Sequence, residues 1–225
     1  MSSFKRFIPF ILLGVVFSCS SPDSKRVILT VGDSNGAAEY GWVYQLQQLR
    51  PDDVIINTAI SGNTIGFDNN GHEYLNSLKR IGRYIEIAAD SVQRVDEMVI
   101  LLGTNDCKSV FRGRENEALQ NLAQLIGDAQ QLLTERNLET SLTLVTPPPF
   151  SPDSLLSDKY KGGDACAAYL AEQMAFLAEE QEVRFVNIYS SLKPDFSTLN
   201  TDGVHLTAEG HKRVAEQINE ALRIP

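Results

Sequence analysis

A serine hydroxyl is a poor nucleophile until a base takes its proton, and an imidazole with an ordinary pKa near 6.5 suits that task. Ser34 follows the aliphatic run Val27-Ile28-Leu29-Thr30-Val31 and a Gly32-Asp33 pair, and Asp202-Gly203-Val204-His205 lies near the other end of the chain. His205 is the candidate base. Asp202 stands three residues before it, with Gly203 between them to permit a turn. On such a turn the carboxylate can accept from the ring Nδ1–H and fix the tautomer that leaves Nε2 free to act. An attacked carbonyl becomes an oxyanion, which needs donors already in place. Gly62, lacking a Cβ, can bring its backbone N–H close, Asn105 can offer its side-chain amide, and the N–H of Ser34 makes a third donor.

These residues need elements to hold them, and the apolar pattern supplies an alternation. Short β-branched runs read as strands at 27–31, 54–57, 98–102, 141–146 and 183–188. Between them lie helical patterns: 41–50, stopped by Pro51; 73–89; 115–136, with Leu119, Leu122, Ile126, Ala129 and Leu133 on one face; 165–181; and a closing helix over 207–222. Strand and helix in alternation imply βαβ units and a parallel sheet covered on both faces. Five strands predict an α/β, flavodoxin-like doubly wound order. The long irregular segments, 58–71, 103–113, 147–163 and 189–206, follow strand carboxyl ends, where open α/β sheets build their sites.

Four short blocks occur in order at those ends: Gly32-Asp33-Ser34, Ser61-Gly62-Asn63, Gly103-Thr104-Asn105-Asp106 and Asp202-Gly203-Val204-His205. Together they resemble the hallmark blocks of the SGNH hydrolases, the GDSL esterase/lipase superfamily, across residues 27–211. Asn35 stands where the eponymous motif has leucine. The resemblance implies the SGNH hydrolase fold, Ser34, Asp202 and His205 as catalytic residues, and Ser34, Gly62 and Asn105 as the oxyanion hole. It implies no metal and no organic cofactor. Gly32-Asp33-Ser34-Asn35-Gly36 also satisfies G-x-S-x-G, the nucleophile elbow of α/β-hydrolases. That elbow follows a mid-sheet strand, and its Asp and His sit on separate loops, whereas Ser34 follows the first strand and Asp202 and His205 share one turn.

Other residues have plainer readings. Asp33 and Asp106 fit loop hydrogen bonding, His72 and His211 fit solvated positions, and Trp42 and Tyr44 fit core or rim packing. The run Pro147-Pro148-Pro149 either shapes a cleft wall or serves as a rigid connector.

The ends carry a different message. Lys5 and Arg6 precede an apolar run from Phe7 to Phe17, too short for a membrane-spanning helix of about 20 residues but suited to a signal peptide over 1–18. Ser18-Cys19 followed by Ser20-Ser21-Pro22-Asp23 resembles a bacterial lipobox, which makes Cys19 the lipidation site, 19–26 a tether and 27–225 the catalytic domain. A plain secretory signal and an uncleaved anchor are the other readings. Loss of Lys5 and Arg6 leaves 18 basic against 29 acidic residues, a formal charge of −11. That balance excludes nucleic acid as a partner and leaves the lipid as the means of membrane attachment. Cys107 and Cys166 are then an even pair in an exported chain, either one disulfide or two free thiols. The expected activity is a serine esterase cleaving an O-acyl ester through an acyl-enzyme, on a small ester or an acylated glycan such as one bearing O-acetyl groups. A lysophospholipase or thioesterase, or a tethered binding module of the same fold, are the alternatives.

Overall fold

The computed structural model describes residues 25–224; the signal segment, Cys19 and the rest of the tether before Lys25 lie outside the described residues. Five parallel strands, β1 (Val27–Gly32), β2 (Val54–Asn57), β3 (Glu97–Leu101), β4 (Ser141–Val145) and β5 (Arg184–Val186), form one sheet in the order β2-β1-β3-β4-β5. The register runs Val27 to Val54, Gly32 to Leu101 and Leu101 to Val145, so the carboxyl ends of the central strands lie level. The expected doubly wound order is the observed one.

Alternation along each strand divides the core in two. Leu29, Val31, Met98 and Ile100 face a layer built by α3 (Ser77–Val92), α4 (Glu115–Glu135) and α5 (Gly163–Glu180). Ile28, Val99, Leu101 and Val145 face the opposite layer, built by α2 (Trp42–Leu49) and α8 (Ala208–Ala221). Buried on both faces, β1, β3 and β4 are mostly apolar, as central parallel strands should be, with Thr30, Glu97 and Thr143 the buried polar exceptions. Trp42, at the start of α2, is fully buried within this second layer, while Tyr44 is exposed.

Several expectations change. The helix predicted from 73 begins at Ser77, because the Asn76 side chain accepts from the Lys79 N–H and caps it; Glu73–Leu75 is a separate 3-10 turn. β5 ends at Val186 because Asn187 caps α6 (Ile188–Leu192), accepting from the Ser190 N–H. The segment 189–206 is therefore not irregular throughout: α6, the 3-10 turn Lys193–Asp195 and α7 (Phe196–Leu199) fill it as far as Leu199. His211 is not solvated. It falls on the same stripe of α8 as Val214, Ala215 and Ile218 and is buried against the sheet; burial first, and the nearby charge of His205 second, push its pKa down to about 4.

Cys107 and Cys166 form a disulfide with Cα atoms 5.5 Å apart, closing 59 residues. Of the two pairings left open by the sequence, this one fastens the segment after β3 to the start of α5. In the chain-entropy account a loop of that length is worth about 4 kcal/mol.

Candidate active site

The chain leaves β1 at Gly32 and turns at once into α1 (Ser34–Ala37), a single turn whose N-cap is Asp33. The Asp33 carboxylate accepts from the Asn35 N–H at 2.9 Å, which fixes the turn and presents Ser34 at the carboxyl edge of the sheet. Asn35 carries a second tie: its side-chain oxygen accepts from the Leu206 N–H at 3.1 Å, fastening the serine turn to the segment that bears His205.

That segment is a tight loop. Thr201 N–H donates to the His205 carbonyl, and a bridge joins Asn200 to Leu206. Asp202 Oδ1 accepts the backbone N–H groups of Val204 and His205 at 3.0 and 2.8 Å. Gly203 sits at φ +89 with its N–H on the Asn200 side chain at 2.7 Å; a Cβ there would meet Leu156 at 2.6 Å. The result aims Asp202 Oδ2 at His205 Nδ1, 2.7 Å away, and His205 Nε2 at Ser34 Oγ, 3.1 Å away. Desolvation pushes the Asp202 carboxyl up, but the hydrogen bonds from His205 and Val204 outweigh it and hold it below its usual range. Asp202 thus stays ionised beside the imidazole.

The candidate donors Gly62 and Asn105 are held by a second set of contacts. Gly62, at φ +92, turns the chain after β2, and its carbonyl accepts from Asn69 Nδ2 at 2.6 Å. Asn63 then anchors the loop from beneath, donating to the Gly32 carbonyl and to the Tyr84 hydroxyl, both at 3.1 Å. Asn105, nearly fully buried, uses one amide hydrogen on the Asn63 carbonyl at 2.9 Å and keeps another. The backbone N–H groups of Ser34 and Gly62 meet no acceptor among the described residues. Two of these supports, Asn35 and Asn63, carry a role the sequence reading missed; their only signal was position beside the serine and Gly62.

Asp33 and Asp106 lie buried below the site. Burial pushes Asp33 up, offset in part by the Asn35 N–H; the Thr104 hydroxyl neighbours it but completes no hydrogen bond. Burial likewise drives Asp106 up to about 7, although its two oxygens accept from the Ile65 N–H at 2.9 and 3.0 Å. Both hold loops, as their positions suggested.

The constellation is open. The side chains of Asp202 and His205 are 54% and 40% exposed, so no lid covers them among the described residues. A cavity of about 490 Å³ lies against Asp202, with Phe150, Pro152 and Phe196 on its apolar wall and Ser151, Asn200 and Thr201 on its polar one. Among the described residues there is no cluster of three or more His, Cys, Asp or Glu able to hold a metal ion, and no helix long and apolar enough to cross a membrane.

The profile of the GDSL-like Lipase/Acylhydrolase family matches residues 29–213. A GDSL esterase/lipase of Arabidopsis thaliana is 28% identical over 116 residues, which is 48% of this chain but only 36% of that protein, so the match spans about a third of the relative's length. Among solved structures, a carbohydrate acetylesterase from Sinorhizobium meliloti superposes with a TM-score of 0.72 at 23% identity, covering 88% of this chain and 99% of that one. The Mycobacterium smegmatis aryl esterase gives 0.68 at 22% identity over 89% and 99%. At that identity the likeness establishes a shared fold.

Proposed function

The chain belongs to the GDSL-like lipase/acylhydrolase family of ester hydrolases, and from that premise we propose that it is a serine esterase in which Ser34 attacks an acyl carbonyl. The observation that carries this reading is the unbroken line from Asp202 through His205 to Ser34 at 2.7 and 3.1 Å. His205 Nε2 takes the Oγ proton as the Oγ–carbon bond forms. The oxyanion is received by the N–H groups of Ser34 and Gly62 and the Asn105 amide. His205 then gives the proton to the departing alcohol oxygen as the ester bond breaks, leaving Ser34 acylated. Water, deprotonated by the same imidazole, releases the acid and restores the serine. Asp202 remains a carboxylate throughout and steadies the imidazolium.

The open site and the mixed polar and apolar cavity beside Asp202 favour a short acyl group on a bulky polar alcohol, such as an O-acetylated carbohydrate, over a long-chain lipid. We assign residues 1–18 as the export signal and Cys19 as a lipidated N-terminus, which would hold the hydrolase on the bacterial envelope; a diacylated Cys19 in the N-terminal mass spectrum is the outcome that supports it. Purified 20–225 protein should hydrolyse 4-nitrophenyl acetate, with rates falling along a series to the decanoate. Equal rates for wild type and Ser34→Ala would remove the nucleophile from this reading, and a preference for decanoate would favour the lipid-hydrolase alternative.

A further inference from the structure

Most described lysines are neutralised. Lys79 reaches Asp68 and Glu73, Lys161 reaches Asp158, Lys193 reaches Asp164 and Lys212 reaches Glu216. Apart from Lys25 at the start of the described chain, two stand out. Lys108 and Lys159 have no carboxylate within 4.0 Å among the described residues, yet both lie against one ring, their Nζ atoms 5.8 and 5.0 Å from the centroid of Tyr160. Both line a single cavity of about 370 Å³, with Asn70, Ser109, Val110 and Phe111.

Bringing two like charges to one cavity is unfavourable unless something offsets it. Lys108 bears most of that cost. It is half-buried, and its ammonium is held by the neutral side-chain oxygen of Asn69 at 3.2 Å. Burial first, then the charge of Lys159, lowers its pKa; Asp106 and Asp33 oppose this from a distance, but neither touches it. The one acid lining the cavity, Asp68, is engaged by Lys79 and Asn76, each at 2.8 Å. Hydrogen bonds connect one wall of the cavity to the candidate site. Lys108 N–H donates to the Asn105 carbonyl, and Asn69, which holds the Lys108 ammonium, donates its amide to the Gly62 carbonyl. Lys108 is therefore tied to both segments that carry the candidate oxyanion donors, and Lys159 joins it through the shared ring of Tyr160. A chain of formal charge −9 has no general attraction for anions, so recognition here depends on these local groups.

We propose that the cavity between Lys108 and Lys159 is an anion subsite, receiving a carboxylate or phosphate group carried on the alcohol part of the ester substrate. The inference rests on the esterase reading for the word substrate, but the binding itself does not. An anion there completes charge-assisted hydrogen bonds to both ammonium groups and removes their repulsion. It narrows the substrate class to acidic esters: an acylated uronate-bearing glycan, or an acyl ester whose alcohol bears a phosphate.

The binding arm uses Ser34→Ala 20–225 protein, titrated by NMR with trigalacturonate, with sn-glycerol 3-phosphate, and with neutral xylotriose. The expected result is saturable binding of at least one anion in preference to xylotriose. Lys159→Glu should weaken it tenfold or more, Lys159→Arg should stay within about threefold of wild type, and raised salt should weaken the remainder. Whichever anion binds more tightly identifies the source. No measurable binding of either anion, or equal affinity in the parent and Lys159→Glu, would overturn the proposal. In the kinetic arm, with Ser34 intact, the ratio of kcat/KM for O-acetylated oligogalacturonate to that for 4-nitrophenyl acetate should drop about tenfold in Lys159→Glu if galacturonate is the tighter anion. Anion binding that shifts as expected in a protein that hydrolyses neither ester would overturn the esterase reading and leave the subsite standing.

Discussion

At the amino ends of the strands, Glu97 is completely buried, and Arg26 and Arg184 reach it at 3.0 and 2.8 Å while the Thr143 hydroxyl donates at 2.7 Å. At the carboxyl ends of the same strands, Asp33 and Asp106 are buried as deeply, and neither forms a salt bridge among the described residues. The first end spends its polar groups on one another. The second leaves Asp33 Oδ2, Thr104 Oγ1 and Asn35 Nδ2 without partners among the described residues, within which backbone N–H groups hold its carboxyl groups. Burying a charge is tolerable when it is paired and costly when it is not. Concentration of the costly groups around Ser34, with the compensated ones at the far edge, is how a fold separates what keeps it folded from what it does.

The contrast can be broken from either end. The largest effect belongs to Asp202→Asn, which removes the acceptor that fixes the His205 tautomer. The rate kcat/KM should fall by about 10³–10⁴ with little change in melting temperature, because the side chain is more than half exposed. Asn105→Ala removes one oxyanion donor and should cost about 10²–10³ in kcat, measured under saturating ester. Glu97→Gln reverses the pattern. Leaving Arg26 and Arg184 without their carboxylate should cost about 3 kcal/mol in urea unfolding, toward the lower end for a buried pair because both arginines are about a quarter exposed, and kcat should not move. A loss of activity matching the loss of stability would show that the two ends are not separable.

The smallest effect is a slope. Asp106 has a native pKa of about 7 against an ordinary 3.8. Between those values the native state keeps a proton that the unfolded chain releases, so this residue makes stability fall as pH rises from about 4 to about 7. His211, lowered to about 4, acts oppositely: the unfolded chain takes up a proton first, and stability falls as pH drops from about 6.5 to about 4. Asp33, also pushed up by burial, adds to the first trend, so Asp106→Asn should make that trend shallower in melting temperature against pH and leave the second.

Much of the candidate site was legible in sequence because its critical relation is local. Asp202 and His205 lie three residues apart around a glycine, so their contact needs only one turn. Gly-Asp-Ser at a strand end could as well cap a helix. Ser34 was legible because the Ser61-Gly62-Asn63, Gly103-Thr104-Asn105-Asp106 and Asp202-Gly203-Val204-His205 blocks follow it in order at later strand ends. The supports were not. Asn35 ties to Leu206 across 171 residues, and nothing in the chain announces that pairing. The disulfide stayed undecided for the same reason: its 59-residue separation closes only once β3 and α5 are side by side. His211 is a different case. Its place six residues after His205, on another side of a helix, suggested solvent, yet its spacing to Val214, Ala215 and Ile218 already put it on the buried stripe. Lys108 and Lys159, without a carboxylate partner among the described residues, could not be seen at all, since Tyr160 and the loop carrying Asn69 bring them together only in the fold.

The claim that Ser34 is the nucleophile, activated through His205, is tested most directly by covalent trapping. Treated with a phosphonofluoridate ester, the 20–225 protein should gain one adduct, and peptide mass spectrometry should place it on Ser34. His205→Ala should slow labelling by several orders of magnitude, and Ser34→Ala should remain unlabelled. Hydrolytic activity that survives while Ser34 stays unmodified, or an adduct on another residue that abolishes activity, would contradict the account.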